Sequence, residues 1–168
     1  MKMKDVPVFG VLQGVKVLSC ANFIAGPYMS GLFAEMGATV TSVERSDFPD
    51  GLRTTVTEWF SAEHRNQLSM ALNLREAEGM EILSRMLQEN DIFVENAKGG
   101  SLARMGITDE WIWSFNPKMV IVHVSGYGQT GDPDYIGRPC LDAIAQAFSG
   151  YINLNGLPDM PMVARLYT

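Results

Sequence analysis

The chain has 168 residues, with 13 Lys and Arg against 19 Asp and Glu, a net charge of −6 and a 46% hydrophobic composition. That describes a globular domain able to bury a full core and excludes a disordered, fibrous or low-complexity chain. The acidic balance excludes a general nucleic-acid surface while leaving room for a local basic pocket. Val15–Cys20, VKVLSC, is a β-rich run between Gly14 and a loop. PYMSGLFAEMG follows as a helix, with Pro27 at its first position and Gly37 at its stop. Thr39–Glu44 reads as a second strand, and the polar stretch Arg45–Arg53, which holds Pro49, as a loop. Leu68–Leu74 is a third apolar run. Arg75–Asn90 is an amphipathic helix, because Met80, Leu83, Met86 and Leu87 recur at helical spacing. Ile92–Glu95 is a short strand, Leu102–Met105 and Glu110–Phe115 are short helices, and Met119–Ser125 is the strongest strand. Leu141–Phe148 is a helix with Gly150 past its end, and Tyr151–Thr168 is irregular.

Strands alternate with helices, and several strands are continuous apolar runs. The expected fold class is therefore α/β: an open, mostly parallel, Rossmann-like sheet with helices on both faces. Because residues 151–168 supply no closing strand or helix, the fold is expected to be incomplete at the C-terminus. Two cysteines, Cys20 and Cys140, are too few for a disulfide scaffold and are expected to be small buried hydrophobes. Met1–Gly10 has no apolar leader, and no run approaches the roughly 18 apolar residues that span a bilayer. The expected setting is soluble, reduced and cytoplasmic.

Three segments could carry chemistry. SCANFIAGP is a strand–loop–helix whose helix start would offer free N–H groups to an anion. Glu44 ends the next strand near where a ribose-binding acid sits in dinucleotide folds, and Arg45 could hold a phosphate. An ordinary tight turn with a solvated charge pair reads the same residues equally well. Gly126–Gly131 matches G-x-G-x-x-G after a strand, but Asp132-Pro133-Asp134 follows where the fingerprint needs a helix, which argues against a nicotinamide site. It remains a loop that could approach a ligand with its backbone. Arg65, Arg75, Lys98 and Arg104 lie near strand ends and could converge on phosphate; singly, each reads as surface charge.

Other features are bland. His64 and His123 have no companions at metal-ligand spacing, so no metal is expected, and His123 reads as a hydrogen-bonded strand residue. No G-x-S-x-G elbow supports a serine hydrolase. The methionines read as core filling. Trp111 and Trp113 cannot share a helical face, so one is expected to be buried and the other partly exposed.

LQGVKVLSCANFIAGPYMSGLFAEMGATVTSVER resembles the opening of the class III coenzyme A transferases of the formyl-CoA, carnitine and bile-acid type. The resemblance continues in order through HRNQLSMALNL, ENAKGGSLARMGI, NPKMVIVHVSGYGQTG and LDAIAQAFSGY, covering the chain from Gly10 onward. HRNQLSM and IVHVSGYGQTGDP are most similar to the carnitine and bile-acid branch. The resemblance implies transfer of coenzyme A between an acyl thioester and a carboxylic acid. An aspartate nucleophile would pass through mixed-anhydride and enzyme-thioester intermediates, with donors needed for the oxyanion. Some relatives use the fold for racemisation instead. It also implies a large Rossmann-like domain, a small domain, a returning segment and an interlocked dimer. No metal, nucleic acid or membrane is implied.

Carried over residue by residue, the resemblance places Ile24 and Ala25 against the coenzyme and Arg45 at its nucleotide end. It puts Leu72, Asn73, Leu74 and Arg75 on the adenine side. Asn96, Ala97 and Lys98 would border pantetheine and phosphates, Arg104 would bind phosphate, and Arg138 to Cys140 would lie near the active site. Asp142 would stand near the catalytic centre or cap a helix. In the family, a segment like PMVARLYT is followed, one residue later, by the nucleophile. It is therefore expected just beyond Thr168, with Asp142 and Asp159 excluded from that role. Residues 1–168 are expected to be the N-terminal part of the large coenzyme-binding domain, inactive alone. The alternatives are a non-catalytic coenzyme A-binding or interaction module, or another nucleotide-binding α/β protein. Missing neighbours should leave an exposed sheet edge or apolar surface and promote oligomers.

Overall fold

Five parallel strands lie in the order β3-β2-β1-β4-β5: β1 Lys16–Ser19, β2 Thr39–Arg45, β3 Leu68–Leu72, β4 Ile92–Glu95 and β5 Val120–His123. The structure, a computed structural model, describes residues 8–159 and 161–162. The helices are α1 Ala25–Glu35, α2 Leu52–Thr55, α3 Thr57–Glu63, α4 Ala77–Glu89, α5 Asp109–Phe115, α6 Pro133–Ile136 and α7 Asp142–Phe148. Short 3-10 turns cover Ala103–Met105 and Tyr151–Leu154.

Alternation along the strands sends side chains to two separate cores. Val17, Val40 and Val94 pack with Ala21, Ala34 and Ala38 on the α1 face. Leu18, Val43, Leu72 and Phe93 pack with Leu83 and Leu87 of α4 and Ile112 of α5 on the opposite face. Period-2 alternation thus buries both sides of the central strands, as the apolar runs predicted. The edge strands are less covered: Leu68 and Met70 on β3 and Val120 on β5 are exposed. The α/β class, the parallel sheet and helices on both faces stand as expected.

Local corrections follow from tertiary contacts. The first helix begins at Ala25, two residues before Pro27, and β3 stops at Leu72, not Leu74. Residues 52–63 form two short helices, α2 and α3, that no apolar period announced. Tyr151–Leu154 makes a turn within the stretch read as irregular. Both cysteines are free and neither residue is wholly buried, although the Cys20 thiol itself is enclosed against the core on the α4 face. Trp111 is half-buried against the α4–α5 core and Trp113 is exposed, so neither tryptophan is fully buried. The Trp113 Nε1 donates to Met119 O at 3.0 Å.

The chain divides into two compact units, one up to Ala97 with Leu102–Val124, the other Lys98–Ser101 with Ser125 onward. The first holds the sheet. In the second, Gly126 meets the Cys140 side chain, and Tyr127, Tyr135 and Phe148 pack ring against ring with centroids 5.0–5.6 Å apart. Leu141, Phe148 and Leu154 there are exposed. The segment 163–168, read as the approach to a nucleophile, lies outside the described residues.

Candidate functional site

In an open parallel sheet, ligands bind outside the carboxyl ends of the strands, where the strand order reverses. Here that point lies between β1 and β4, because the chain runs outward to β3 and returns through α4 to β4. The two loops leaving this point grip each other. Asn22 N donates to Asn96 Oδ1 at 2.9 Å, and Asn96 Nδ2 donates to Asn22 O at 2.6 Å. Gly26 allows this approach, since a Cβ there would stand 2.4 Å from Ala21 Cβ and 2.9 Å from Asn96 Cβ.

Beside the crevice, α1 opens with Ile24 at its N-cap, no capping side chain and no acid in its first turn. The positive end of its dipole is therefore available to an anion, as the SCANFIAGP reading expected. Phe23 sits at φ 59°, and its N–H donates to Asp50 Oδ2 at 2.7 Å. Asp50 also accepts from Leu52 N at 2.8 Å, tying the loop after β1 to the start of α2.

Glu44 is not a ribose acid, nor half of a solvated charge pair. It is buried, and its carboxylate takes both Nε and Nη2 of Arg53, at 2.8 and 2.5 Å, and the N–H of Asp50 at 3.1 Å. The Arg53 hydrogen bond holds Glu44 below the usual carboxylate range against the opposing effect of burial. Such a group adds stability at pH values above the ordinary range and loses it as pH falls through the lowered one. Removing one member of a buried pair costs about 3–5 kcal/mol. The Arg53 side chain is 39% exposed, which lowers the expectation for Glu44→Gln to about 2 kcal/mol near neutral pH. Urea unfolding should show that difference shrink as pH falls through the lowered range, where the wild-type carboxyl takes up its proton. A difference that persists there would mean the ion pair is not its source.

The remaining expected residues separate. Arg45 ends β2 but is exposed and bonded through both nitrogens to Asp47, at 3.0 and 2.7 Å. Leu72 is buried in the core on the α4 face, and Leu74 packs half-buried against it. Asn73 Oδ1 accepts from Arg75 N at 3.1 Å, a turn that lifts Arg75 off the end of β3. Gly79 permits it, since a Cβ there would fall 2.0 Å from Asn73 O. Arg65 does not join a strand-end cluster. It pairs with Glu35 at the far end of α1, on the amino-terminal edge of the sheet. Arg104 lies on the 3-10 turn, exposed. Lys98, Arg138 and Cys140 belong to the second unit, where the Arg138 guanidinium lies 4.6 Å from the Tyr135 ring centroid.

Gly126–Gly131 is followed only by the one-turn α6, whose N-cap is filled by Asp132, accepting from Asp134 N at 2.9 Å. No helix long enough to seat a pyrophosphate therefore follows these glycines. Asp142 is the first residue of α7, with Leu141 at the cap, and its Oδ2 accepts from Gln146 Nε2 at 2.6 Å. Both line a cavity of about 350 Å³ with Gly126, Phe148 and Tyr151.

Sequence reasoning missed the polar ties that shape the first unit: Asn22, Asp50, Arg53 and the acid–histidine pair of Glu95 and His123. His123 is hydrogen-bonded as expected, with Nδ1 2.6 Å from Glu95 Oε1. Among the described residues no group of three His, Cys, Asp or Glu could hold a metal, and no helix is long and apolar enough to cross a membrane. Burial and the neighbouring Glu95 push the Cys20 thiol up to about 12, so it is no nucleophile at neutral pH.

A bile acid CoA-transferase, BaiK, of Clostridium scindens is 46% identical over 165 residues, 98% of this chain and 37% of that protein. An L-carnitine CoA-transferase of Proteus mirabilis is 44% identical over 163 residues, 97% of this chain and 40% of that protein. The chain thus spans about two-fifths of the length of these relatives. The structure of a CAIB/BAIF family protein from Brucella suis superposes with a TM-score of 0.85 at 30% identity, covering 92% of this chain and 43% of that one. A hypothetical protein from Mycobacterium tuberculosis shares the fold, with a TM-score of 0.84 at 21% identity, over 96% of this chain and 46% of its own. Residues 12–168 match CoA-transferase family III, and the chain belongs to that family.

Proposed function

We propose that this chain supplies the coenzyme A crevice of an acyl-CoA:carboxylate CoA-transferase. The observation that carries this is the strand-order reversal between β1 and β4, with its Asn22–Asn96 tie and uncapped α1 start, in a family III chain. The open helix end suits a phosphate, and the loops at the strand ends suit the rest of an extended thioester. Ile24 and Ala25 border the coenzyme at α1, Leu72, Asn73 and Leu74 offer backbone to the adenine, and Asn96 and Ala97 border pantetheine. Arg45, Arg75 and Arg104 supply positive charge. The acyl acceptor is a carboxylic acid, of the class that the bile acid and carnitine relatives are named for.

The nucleophile is an aspartate outside these 168 residues. Its carboxylate would add to the thioester carbonyl and expel coenzyme A as the thiolate, leaving a mixed anhydride. The contribution of this chain is to bind and orient the thioester. Residues 1–168 then form the N-terminal part of a larger coenzyme-binding domain, working in the cytoplasm and associating with further copies. The exposed Leu141, Phe148 and Leu154 support association.

Calorimetric titration of the 168-residue chain with coenzyme A, and separately with NAD, tests the reading, together with a transferase assay. Saturable coenzyme A binding without NAD binding and without turnover is expected. Absence of coenzyme A binding, or tighter NAD binding, would overturn the crevice assignment. Turnover would overturn the placing of the nucleophile and direct attention to Asp142.

A further inference from the structure

We propose that Asp50 is a positioning residue that holds Phe23 in a left-handed turn and so aims the start of α1 into the crevice. The proposal rests on the coenzyme A reading of that crevice. Phe23 sits at φ 59°. Among the described residues the other non-glycine positions with positive φ are Asn66 and Asp159, types that tolerate this region. A bulky aromatic does not, so its surroundings must enforce the turn.

The enforcement comes from the segment after β2. Asp50 is 5% exposed. Its Oδ2 accepts from Phe23 N at 2.7 Å, and its Oδ1 accepts from Leu52 N at 2.8 Å, where α2 begins. The Phe23 ring follows its backbone. A Cβ added to Gly51 would stand 3.3 Å from Phe23 Cζ, so the ring tip rests against the residue after Asp50. Asp50 is itself pinned on both sides. Its N–H donates to Glu44 Oε2 at 3.1 Å, and its carbonyl accepts from Arg53 N at 3.1 Å. The Glu44–Arg53 pair is thus the footing of the turn. Ile24, the N-cap of α1, and Ala25, its first residue, follow Phe23 with no capping side chain to orient them. The direction of their N–H groups therefore depends on the Phe23 turn. Released from Asp50, Phe23 returns to negative φ, because only a few per cent of non-glycine residues hold positive φ. The first N–H groups of α1 then turn away from the ligand. Asp50 acts through Phe23 and touches no ligand.

A merely structural carboxyl would cost the same affinity whatever residue preceded Ile24, so the test varies both positions. Affinity falls in proportion to the fraction of chains left in the binding-competent form. Coenzyme A titration of Asp50→Ala should therefore show a loss of about tenfold or more. Glycine takes positive φ about as readily as negative φ. Adding Asp50→Ala to Phe23→Gly should then cost only about twofold relative to Phe23→Gly alone. Hydrogen exchange gives a readout that needs no ligand. The Phe23 amide should be protected in the wild type and unprotected in Asp50→Ala, with the β1 amides protected in both. Equal losses in the two backgrounds, or a Phe23 amide that exchanges alike with and without Asp50, would overturn the proposal. If Asp50→Ala does not fold, Phe23→Pro against Phe23→Gly carries the test, since proline has neither the donor N–H nor access to positive φ. Phe23→Pro should bind about tenfold or more weakly than Phe23→Gly, and equal affinities would overturn the positioning role. If the wild type does not bind coenzyme A, the functional reading falls, while protection at Phe23 that Asp50→Ala abolishes upholds the hold on the turn.

Discussion

Replacing Gly26 by alanine is expected to cost about 3 kcal/mol of stability and to abolish coenzyme A binding, the larger effect on function of any single change considered. The added Cβ would stand 2.4 Å from Ala21 Cβ, 2.9 Å from Asn96 Cβ and 3.0 Å from Asn96 Cγ. None of these atoms is the tip of a long flexible side chain. Ala21 is buried two residues after β1, and Asn96 is held by two hydrogen bonds to the Asn22 backbone. Relief therefore requires the loops after β1 and β4 to move apart. Overpacking costs typically about 1–3 kcal/mol, and two tethered neighbours put this site at the upper end. Urea unfolding and coenzyme titration of Gly26→Ala check both halves. Wild-type values in both would mean the crevice is looser than the structure draws it.

Phe93→Ala carries the largest expected loss of stability, about 3–5 kcal/mol. Phe93 is fully buried in β4, paired in register with Leu18 and Ile121 and packed in one core with Leu83 and Leu87 of α4. Those neighbours come from two flanking strands and a helix, so the cavity cannot collapse by one small shift. Native domains are stable by only about 5–15 kcal/mol, so the variant should be marginal at 25 °C. Val120→Ala on β5 is the control, since Val120 is 56% exposed and should cost under about 1 kcal/mol. Equal unfolding midpoints for the two variants would contradict the assignment of the core to the α4 face.

The sheet was legible because its central strands must be apolar on both sides. Val17–Leu18 and Phe93–Val94 show this directly, each pair split between the two cores. α4 was legible from a stripe whose Leu83 and Leu87 are fully buried. α2 and α3 were not, since Thr54, Thr55 and Thr57 are poor helix formers and α3 buries no residue. What fixes that region is the Arg53 guanidinium, bonded to Glu44 and 4.0 Å from the Phe60 ring centroid, and such long-range ties leave no local pattern.

The same limit applies to the site. Arg65 and Arg75 look alike in sequence, yet one precedes β3 and the other follows it. In a parallel sheet those positions lie on opposite edges, so only Arg75 stands on the carboxyl side. Glu44 imitated a ribose acid because its partner Arg53 is nine residues away, on a helix the sequence did not announce. Glu95 and His123 become neighbours only once β4 and β5 are known to be adjacent. The segments proposed for the coenzyme follow from the family resemblance and from strand ends together, and charge placement alone would have kept Arg65.

The most direct test of the central claim is a ¹H–¹⁵N titration of the chain with coenzyme A. Amide shifts are expected to concentrate at Asn22–Gly26, Asn73–Arg75 and Asn96–Lys98, the segments that leave β1, β3 and β4. Shifts confined to other residues, or an unchanged spectrum at saturating coenzyme A, would contradict a crevice at the carboxyl ends of these strands.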